Sequence, residues 1–278
     1  MTRLVTLVFI ALILATAAPS RAAITRRDLA EVGVTPPPGA ALPLDLPLHE
    51  DATSKPLRAW LGAKPAVLVL ADYTCETLCG PIISIVADAL DHSGLRAGTD
   101  FDLIVVGLDA KDTAADAARM KRAQLGADDS AASHFLTGDA DTVGALAKAL
   151  GFVSVYDRER DQFAHPAAAF VIAPDGRLAR ALPGLAVDPA TMRLAIVDAG
   201  KGTVGTLTDH IRLLCYGYDP ASGTYSVAIG CILSVAGGVT TIALMLLIGL
   251  LLWHQRSAPQ TAATALHGEA RSRTPTTE

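Results

Sequence analysis

The feature that most restricts this fold is an uninterrupted apolar run near the C-terminus. The run from Val227 to Trp253 contains no charged side chain. As a helix rising about 1.5 Å per residue, it exceeds the roughly 30 Å hydrocarbon core of a bilayer. Tyr225 and Trp253 stand at its two ends, where amphipathic rings favour the headgroup layer. Arg256 follows, and a positive charge at this position is expected on the cytoplasmic side. We predict a tilted transmembrane helix over residues 227–253, with the preceding chain outside the cytoplasm.

The N-terminus has the pattern of a secretory signal. Arg3 precedes an uncharged, mostly apolar run from Leu4 to Ala18, which is too short to span a bilayer comfortably. Ser20 and Ala22 are small residues at the third and first positions before a cut after Ala22, which suits a signal peptidase. We therefore predict a signal peptide over residues 1–22, with a retained N-terminal anchor as the alternative.

Composition divides the rest of the chain into segments. The sequence TPPPG at residues 35–39 cannot join a helix interior or a central strand, so residues 23–43 are assigned to a linker. A globular domain over residues 44–215 and a juxtamembrane segment over residues 216–226 follow. The tail, residues 254–278, is rich in Thr, Ala, Pro and Ser, which predicts a disordered cytoplasmic segment.

Alternating patterns within the globular part predict an α/β fold. A continuous apolar run at residues 66–71 is typical of a strand that is buried on both faces, and residues 101–108 are predicted to form a second buried strand. Helical spacing of apolar residues follows the first strand over residues 81–90, and an Ala-rich stretch that predicts a helix follows the second over residues 114–125. The later predicted elements are a strand at 133–136, a helix capped by Asp139, a hairpin of strands 167–172 and 178–182 around Pro174-Asp175-Gly176, and a helix opening at Pro189. This order predicts a thioredoxin-like sandwich, in which helices flank a central mixed sheet.

Two cysteines follow the first predicted strand. Cys75 and Cys79 stand four residues apart at a predicted helix start, where their Cα atoms would lie about 6 Å apart on one face. Such a pair can bind one metal ion or close a disulfide. The positive end of the helix dipole favours the thiolate that both reactions require. A purely structural disulfide is the alternative, since an oxidising compartment permits one.

His165 is the candidate for a third ligand beside the cysteines. It lies on the loop before the predicted strand 167–172, and in a thioredoxin-like fold that loop faces the redox cysteines. Two thiolates and one imidazole suit Cu(I) and, with help from oxygen or water, Cu(II), whereas structural zinc usually takes a fourth protein ligand. A surface histidine is the alternative. We also predict a cis peptide bond before Pro166.

These residues resemble the Sco/SenC family. The resemblance covers about residues 44–253 and rests on Cys75-x-x-x-Cys79 after Tyr73-Thr74, the single downstream His165, the segment Phe135-Leu136-Thr137-Gly138, and Leu214-Cys215-Tyr216-Gly217-Tyr218-Asp219-Pro220 ahead of a C-terminal span. The last segment is similar to a bacterial branch of the family. The resemblance implies that Cys75, Cys79 and His165 bind copper and that Asp109 lies near the metal.

The chain departs from the family pattern beside the cysteines. Glu76, Gly80 and Ala110 stand where family members often carry proline. None of these removes a ligand, but an acidic Glu76 is expected to raise the pKa of the thiols or to assist a bound cation. Asp109 and Asp112 have a second interpretation, as caps of the helix that follows them.

The resemblance implies a metallochaperone. We expect a single-pass protein of a bacterial inner membrane whose periplasmic domain delivers copper to the dinuclear copper site of cytochrome c oxidase. Its expected partners are the copper-bearing oxidase subunit, other periplasmic copper chaperones or thioredoxin-like reductants, and the lipid bilayer. A net charge of -5 without a basic cluster argues against nucleic acid.

Two enzymatic functions are the alternatives to copper delivery. One is a thiol-disulfide reductase that acts on the oxidase cysteines through Cys75 and Cys79, with Cys75 as the attacking thiol. The other is a thiol peroxidase or redox sensor. Cys215 and Cys231, just outside and within the predicted span, are not expected to form a catalytic pair. Surface or packing roles are expected for His49, His92, His134 and His210.

Overall fold

The computed structural model describes residues 24–75, 79–126, 132–185, 187–219, 224–227 and 229–257. The chain divides into two compact units, Met1–Ser226 and Val227–Glu278. The predicted signal peptide and most of the predicted C-terminal tail lie outside the described residues.

The helices and strands are numbered in chain order. The helices α1 to α8 are Arg26–Glu31, Leu57–Leu61, Cys79–Asp91, Ala114–Leu125, Ala140–Ala149, Pro189–Ala199, Leu207–Cys215 and Ile229–Ser257. The strands β1 to β13 are Gly33–Val34, Pro47–Glu50, Thr53–Pro56, Ala66–Ala71, Asp102–Gly107, Ser133–Leu136, Phe152–Val153, Val155–Asp157, Gln162–Ala164, Ala168–Ile172, Leu178–Pro183, Tyr216–Asp219 and Thr224–Val227.

A five-stranded mixed sheet forms the centre of the first unit. Its strand order is β11-β10-β4-β5-β6. Strands β4, β5 and β6 pair in parallel, whereas β10 runs antiparallel to both β4 and β11. Every residue of β4 and β5 is buried, as the apolar runs at residues 66–71 and 103–106 predict. The thioredoxin-like fold predicted from the sequence is confirmed.

Two hydrophobic layers cover the two faces of this sheet. Successive side chains of β4 alternate between them, with Val67 and Val69 in one layer and Leu68 and Leu70 in the other. The first layer includes buried residues of α3, α4 and α6, and the second includes buried residues of α2 and α5. Helices on both faces leave the strand ends as the exposed part of the sheet, where loops carry functional side chains.

The packed domain begins earlier than residue 44. Strand β1 pairs antiparallel with β7, and the Thr35 N–H donates to the Gly151 carbonyl at 2.8 Å. Ala40 and Leu42 are buried against the sheet. The prolines themselves are outside helices and strands, as predicted, but the residues beside them bury apolar surface. The assignment of the whole of residues 23–43 to a linker is therefore corrected.

The second unit contains helix α8. Its stretch Ala236–His254 is long and apolar enough to cross a membrane, and none of it is buried within the structure. This agrees with the length and composition of the predicted span.

Candidate metal centre

The cysteine loop begins where β4 ends. Cys75 is half-buried, packs against the first hydrophobic layer, and donates its backbone N–H to the Asp72 carbonyl at 3.4 Å. Cys79 opens α3, as the predicted helix start requires. Residues 76–78 and the Cys79 side chain lie outside the described part of the structure. The pairing of Cys75 with Cys79 therefore stays a prediction.

Strand register carries His165 to the same edge of the sheet. In the antiparallel pair of β10 and β4, Ala169 lies opposite Val69. Following that register back beyond the start of β10 leads the chain toward Tyr73, two residues before Cys75. His165 is half-buried there, with its ring 6.0 Å from the ring of Phe152. The topology thus brings the loop of His165 beside the loop of Cys75.

A buried carboxylate, Asp72, joins these two loops. Its side chain is fully buried, and its Oδ1 accepts hydrogen bonds from the Thr74 N–H at 3.0 Å and the Thr74 hydroxyl at 2.9 Å. Its Oδ2 accepts from the Phe163 N–H at 3.0 Å. Thr74 directly precedes Cys75, and Phe163 lies two residues before His165. One side chain therefore fixes the cysteine loop against strand β9, and the sequence analysis did not identify it.

The hydrogen bonding of His165 favours the form of the ring that binds metals. Its Nδ1 lies 3.0 Å from the Pro166 carbonyl oxygen, which can only accept, so Nδ1 carries the proton and Nε2 the lone pair. Burial lowers the pKa of His165, although the hydrogen bond to Pro166 and the charge of Asp72 oppose that shift. A neutral imidazole with its lone pair on Nε2 is the state that a metal ligand requires.

The predicted cis peptide bond before Pro166 is wrong. The described residues contain no cis peptide bond, and Pro166 is among them. Residues 165–167 form no turn between β9 and β10, so the chain passes between the strands without the tight reversal that cis proline usually serves.

Asp109 and Asp112 follow β5 at this edge, but neither caps the next helix. Thr113 is the N-cap of α4 and forms a capping box with Asp116. Asp109 accepts from the Lys111 N–H at 2.9 Å and lies 3.3 Å from the Lys111 Nζ. Asp109, Asp112 and Thr74 line one polar cavity of about 380 Å³. The interpretation of the two aspartates as caps is therefore wrong, and Asp109 shares a cavity with the residue that precedes Cys75.

Tyr73 is buried beneath the cysteine loop and packs against the central sheet. Its hydroxyl lies 2.9 Å from the carbonyl oxygens of Val105 and Leu136, which belong to β5 and β6. A Cβ at Gly107 would approach the Tyr73 ring to 3.0 Å, so glycine permits this close packing. The resemblance to the Sco/SenC family pointed to Tyr73, but the sequence did not show this role.

Asp112 is buried with one carboxylate oxygen unsatisfied. Its Oδ2 accepts from the Tyr73 N–H at 3.4 Å, whereas Oδ1 has no hydrogen-bond partner among the described residues. Burial raises the pKa of Asp112 to about 7, and the charges of Asp72, Asp109 and Asp116 act in the same direction. Below about pH 7 the protonated form of Asp112 is therefore favoured in the folded state.

A pH-dependent loss of stability is expected from this carboxyl. Because its pKa is about 7 when folded and about 4 when unfolded, the folded state binds more protons between these values, and the free energy of unfolding falls as pH rises. Asp112→Asn, which mimics the neutral acid, should flatten this decline. Urea unfolding of the full chain in detergent from pH 4.5 to 7.5 measures it. Asp139→Asn is the control because Asp139 has a lowered pKa. A slope equal to that of the unchanged chain in Asp112→Asn would contradict the assignment.

Two other histidines of the first unit, His134 and His92, are paired with carboxylates outside this site. Nδ1 of His134 lies 3.0 Å from a Glu50 carboxylate oxygen, and His92 pairs with Asp88 on α3. Cys215 ends α7 and Cys231 lies in α8, with side chains outside the described part of the structure.

Several solved structures are similar to this chain, and one from Aquifex aeolicus supports the fold. A candidate electron transfer protein from Aquifex aeolicus is similar with a TM-score of 0.54 and 21% identity, covering 59% of this chain and 95% of that one. Arabidopsis thaliana ScoI with copper bound has a TM-score of 0.47 and 15% identity, with coverages of 58% and 96%. BsSco, from the Sco family of cytochrome c oxidase assembly proteins, has a TM-score of 0.47 and 18% identity, with coverages of 59% and 96%.

Sequence comparison identifies the family. A search of curated proteins gave no significant match. The sequence model of the SCO1/SenC family matches residues 58–199, which is half of the chain and extends from α2 through α6. That range contains Cys75, Cys79, Asp109 and His165. The chain belongs to the SCO1/SenC family.

Proposed function

We propose that this chain is a membrane-anchored copper-binding protein that delivers copper to the dinuclear copper site of cytochrome c oxidase. The observation that carries the proposal is the junction made by Asp72, which holds the loop of Cys75 beside the loop of His165. The family supports it, since solved members include ScoI from Arabidopsis thaliana and from Bradyrhizobium japonicum with copper bound, and BsSco belongs to a family of cytochrome c oxidase assembly proteins.

The donor atoms of the proposed site suit copper as a transferred cargo. Thiolate sulfurs of Cys75 and Cys79 and Nε2 of His165 form a soft set that binds Cu(I) at low coordination number and also holds Cu(II). A thiolate of the receiving protein replaces these ligands one at a time, so that the metal is never released to water. Asp109 lines the adjoining cavity and lies near the metal without being one of its ligands.

The proposed setting is a bacterial inner membrane. Helix α8 anchors the chain as a single span, and the domain before it lies in the periplasm after removal of the signal peptide. The copper-bearing oxidase subunit is then within reach, as are periplasmic copper chaperones and thioredoxin-like reductants.

The position of Cys79 supports thiol-disulfide reduction as a second function. Cys79 opens α3, and a helix N-terminus favours the thiolate form of nearby thiols, which is the form that Cys79 needs to resolve a mixed disulfide. The Cys75 thiolate attacks a disulfide of the oxidase subunit and forms a mixed disulfide, with release of one partner thiolate. The Cys79 thiolate then attacks the Cys75 sulfur and releases the second one. The partner gains two electrons, the pair becomes a disulfide, and a thioredoxin-like dithiol must reduce it again.

Copper titration tests the proposed function. The full chain in detergent, reduced and kept free of oxygen, should bind one Cu(I) that resists a competing chelator. Cys75→Ser and Cys79→Ser should each lose that copper, because each removes a soft ligand. The double variant Cys215→Ser, Cys231→Ser is the control and should retain it. Failure of the reduced chain to hold any copper against the chelator would refute the proposal.

A further inference from the structure

One face of helix α7 is fixed to the globular domain. Asp209 is buried and pairs with Arg193 through two hydrogen bonds, from Nε to Oδ1 at 2.8 Å and from Nη2 to Oδ2 at 2.7 Å. Thr206 caps the helix and completes a capping box with Asp209. Leu213 packs against the first hydrophobic layer. These contacts set the rotation of α7 about its own axis.

The opposite face presents apolar side chains to solvent. Leu207 is 77% exposed and Ile211 is 53% exposed, and their four-residue separation places them on one side of the helix. Arg212 and Tyr216 are also exposed, whereas Asp209, the one acid in the α7 sequence, is turned inward. We call Leu207 and Ile211 the outer face of α7; exposed Arg212 lies to the side of this face, and exposed Tyr216 directly follows the helix as the first residue of β12. Apolar residues with a cation and an aromatic ring, but no acid, are typical of helices that lie in a membrane interface.

The chain itself limits how far α7 can be from a bilayer. Residues 216–228 alone separate the end of α7 from the start of α8, and fully extended they would span about 45 Å. If α8 spans the membrane, as the proposed function requires, the outer face of α7 is within reach of the lipid headgroups.

We propose that α7 lies in the headgroup layer of the bilayer, with Leu207 and Ile211 inserted among the upper acyl segments. The inference rests on the membrane anchoring included in the proposed function. Burial of the two side chains removes their exposed apolar area from water. Arg212 is placed to meet lipid phosphates, and Tyr216 occupies the interface that its amphipathic ring favours. The domain is thereby held to the lipid surface by a second contact besides the span.

Lipid quenching of tryptophan fluorescence tests this contact. The full chain is reconstituted in vesicles of phosphatidylcholine and phosphatidylglycerol whose acyl chains carry bromine near the headgroup. Ile211→Trp is introduced together with Trp253→Phe, and buried Trp60 supplies a constant background. The emission assigned to position 211 should fall at least about twofold relative to unbrominated vesicles. Because Ile211 is largely exposed, the substitution should not disturb folding.

The controls separate failure of the contact from failure of the anchor. Ala123→Trp with Trp253→Phe places the probe at an exposed site on α4 and should show little quenching. In the unchanged chain, quenching of Trp253 reports that α8 is in the bilayer. Quenching of Trp253 without quenching at position 211, or equal quenching at positions 123 and 211, overturns the contact alone. Absence of quenching at Trp253 overturns the membrane anchor and the contact together.

Discussion

His165→Ala should lower the Cu(I) affinity of the reduced chain by at least about 100-fold, because loss of a direct ligand exceeds the 10- to 100-fold effects of groups that only orient ligands. Disulfide exchange needs only Cys75 and Cys79, so its rate should stay within a few-fold of that of the unchanged chain. Competition with a Cu(I) chelator and exchange with a small disulfide provide the two measurements on one preparation.

A surface histidine supplies the matched control for this result. His92 is exposed directly after α3 and pairs with Asp88 of that helix, so His92→Ala should leave copper affinity and exchange unchanged. Retention of one tightly bound copper in His165→Ala would remove the imidazole from the ligand set. Parallel loss of copper and exchange would instead indicate that the whole loop had been disturbed.

Gly151→Ala should lower the free energy of unfolding by about 3 kcal/mol or more. Gly151 has a φ of 61°, and a Cβ there would lie 2.0 Å from the Thr35 carbonyl oxygen and 2.3 Å from its carbon. These are backbone atoms, and Thr35 donates its own N–H to Gly151. Relief of the overlap therefore requires the chain after β1 to leave β7. Urea or guanidinium unfolding of the full chain in detergent measures the change.

Gly144→Ala is the control for this substitution. Gly144 lies within α5, and a Cβ there would meet nothing within 4 Å. Alanine should therefore stabilise the domain by about 0.5–1 kcal/mol, as expected for glycine replaced inside a helix. A loss below about 1 kcal/mol in Gly151→Ala would show that the N-terminal segment is not held rigidly against β7.

The central elements were predictable because their signals are local. The apolar run of β4 and the Ala-rich helix α4 begin and end at the residues expected, since an apolar run and a run of helix-favouring residues are signals between neighbouring positions. The cap of α4 was not predicted, because it is Thr113 and neither Asp109 nor Asp112. The short hairpins β2-β3 and β8-β9 escaped prediction because their exposed or half-buried residues give no apolar pattern.

Prediction of the site was limited by long-range contacts. The cysteine spacing is a local signal, whereas the position of His165 followed from the fold. The partner of Asp72, the Phe163 N–H, is 91 residues away, and an acid after a strand otherwise resembles an ordinary turn residue. Its importance was not visible before the antiparallel pairing of β10 with β4 was known.

Asp72 holds the loops of Cys75 and His165 together without help from a bound ion. Because the fully buried carboxylate already holds both loops, the spacing between the two supports is set by the protein and not by the metal. An empty carrier of this kind would not refold around each new ion, so little ordering entropy would oppose its filling. The same hydrogen bonds would keep the loops of Cys75 and His165 side by side after an ion has left.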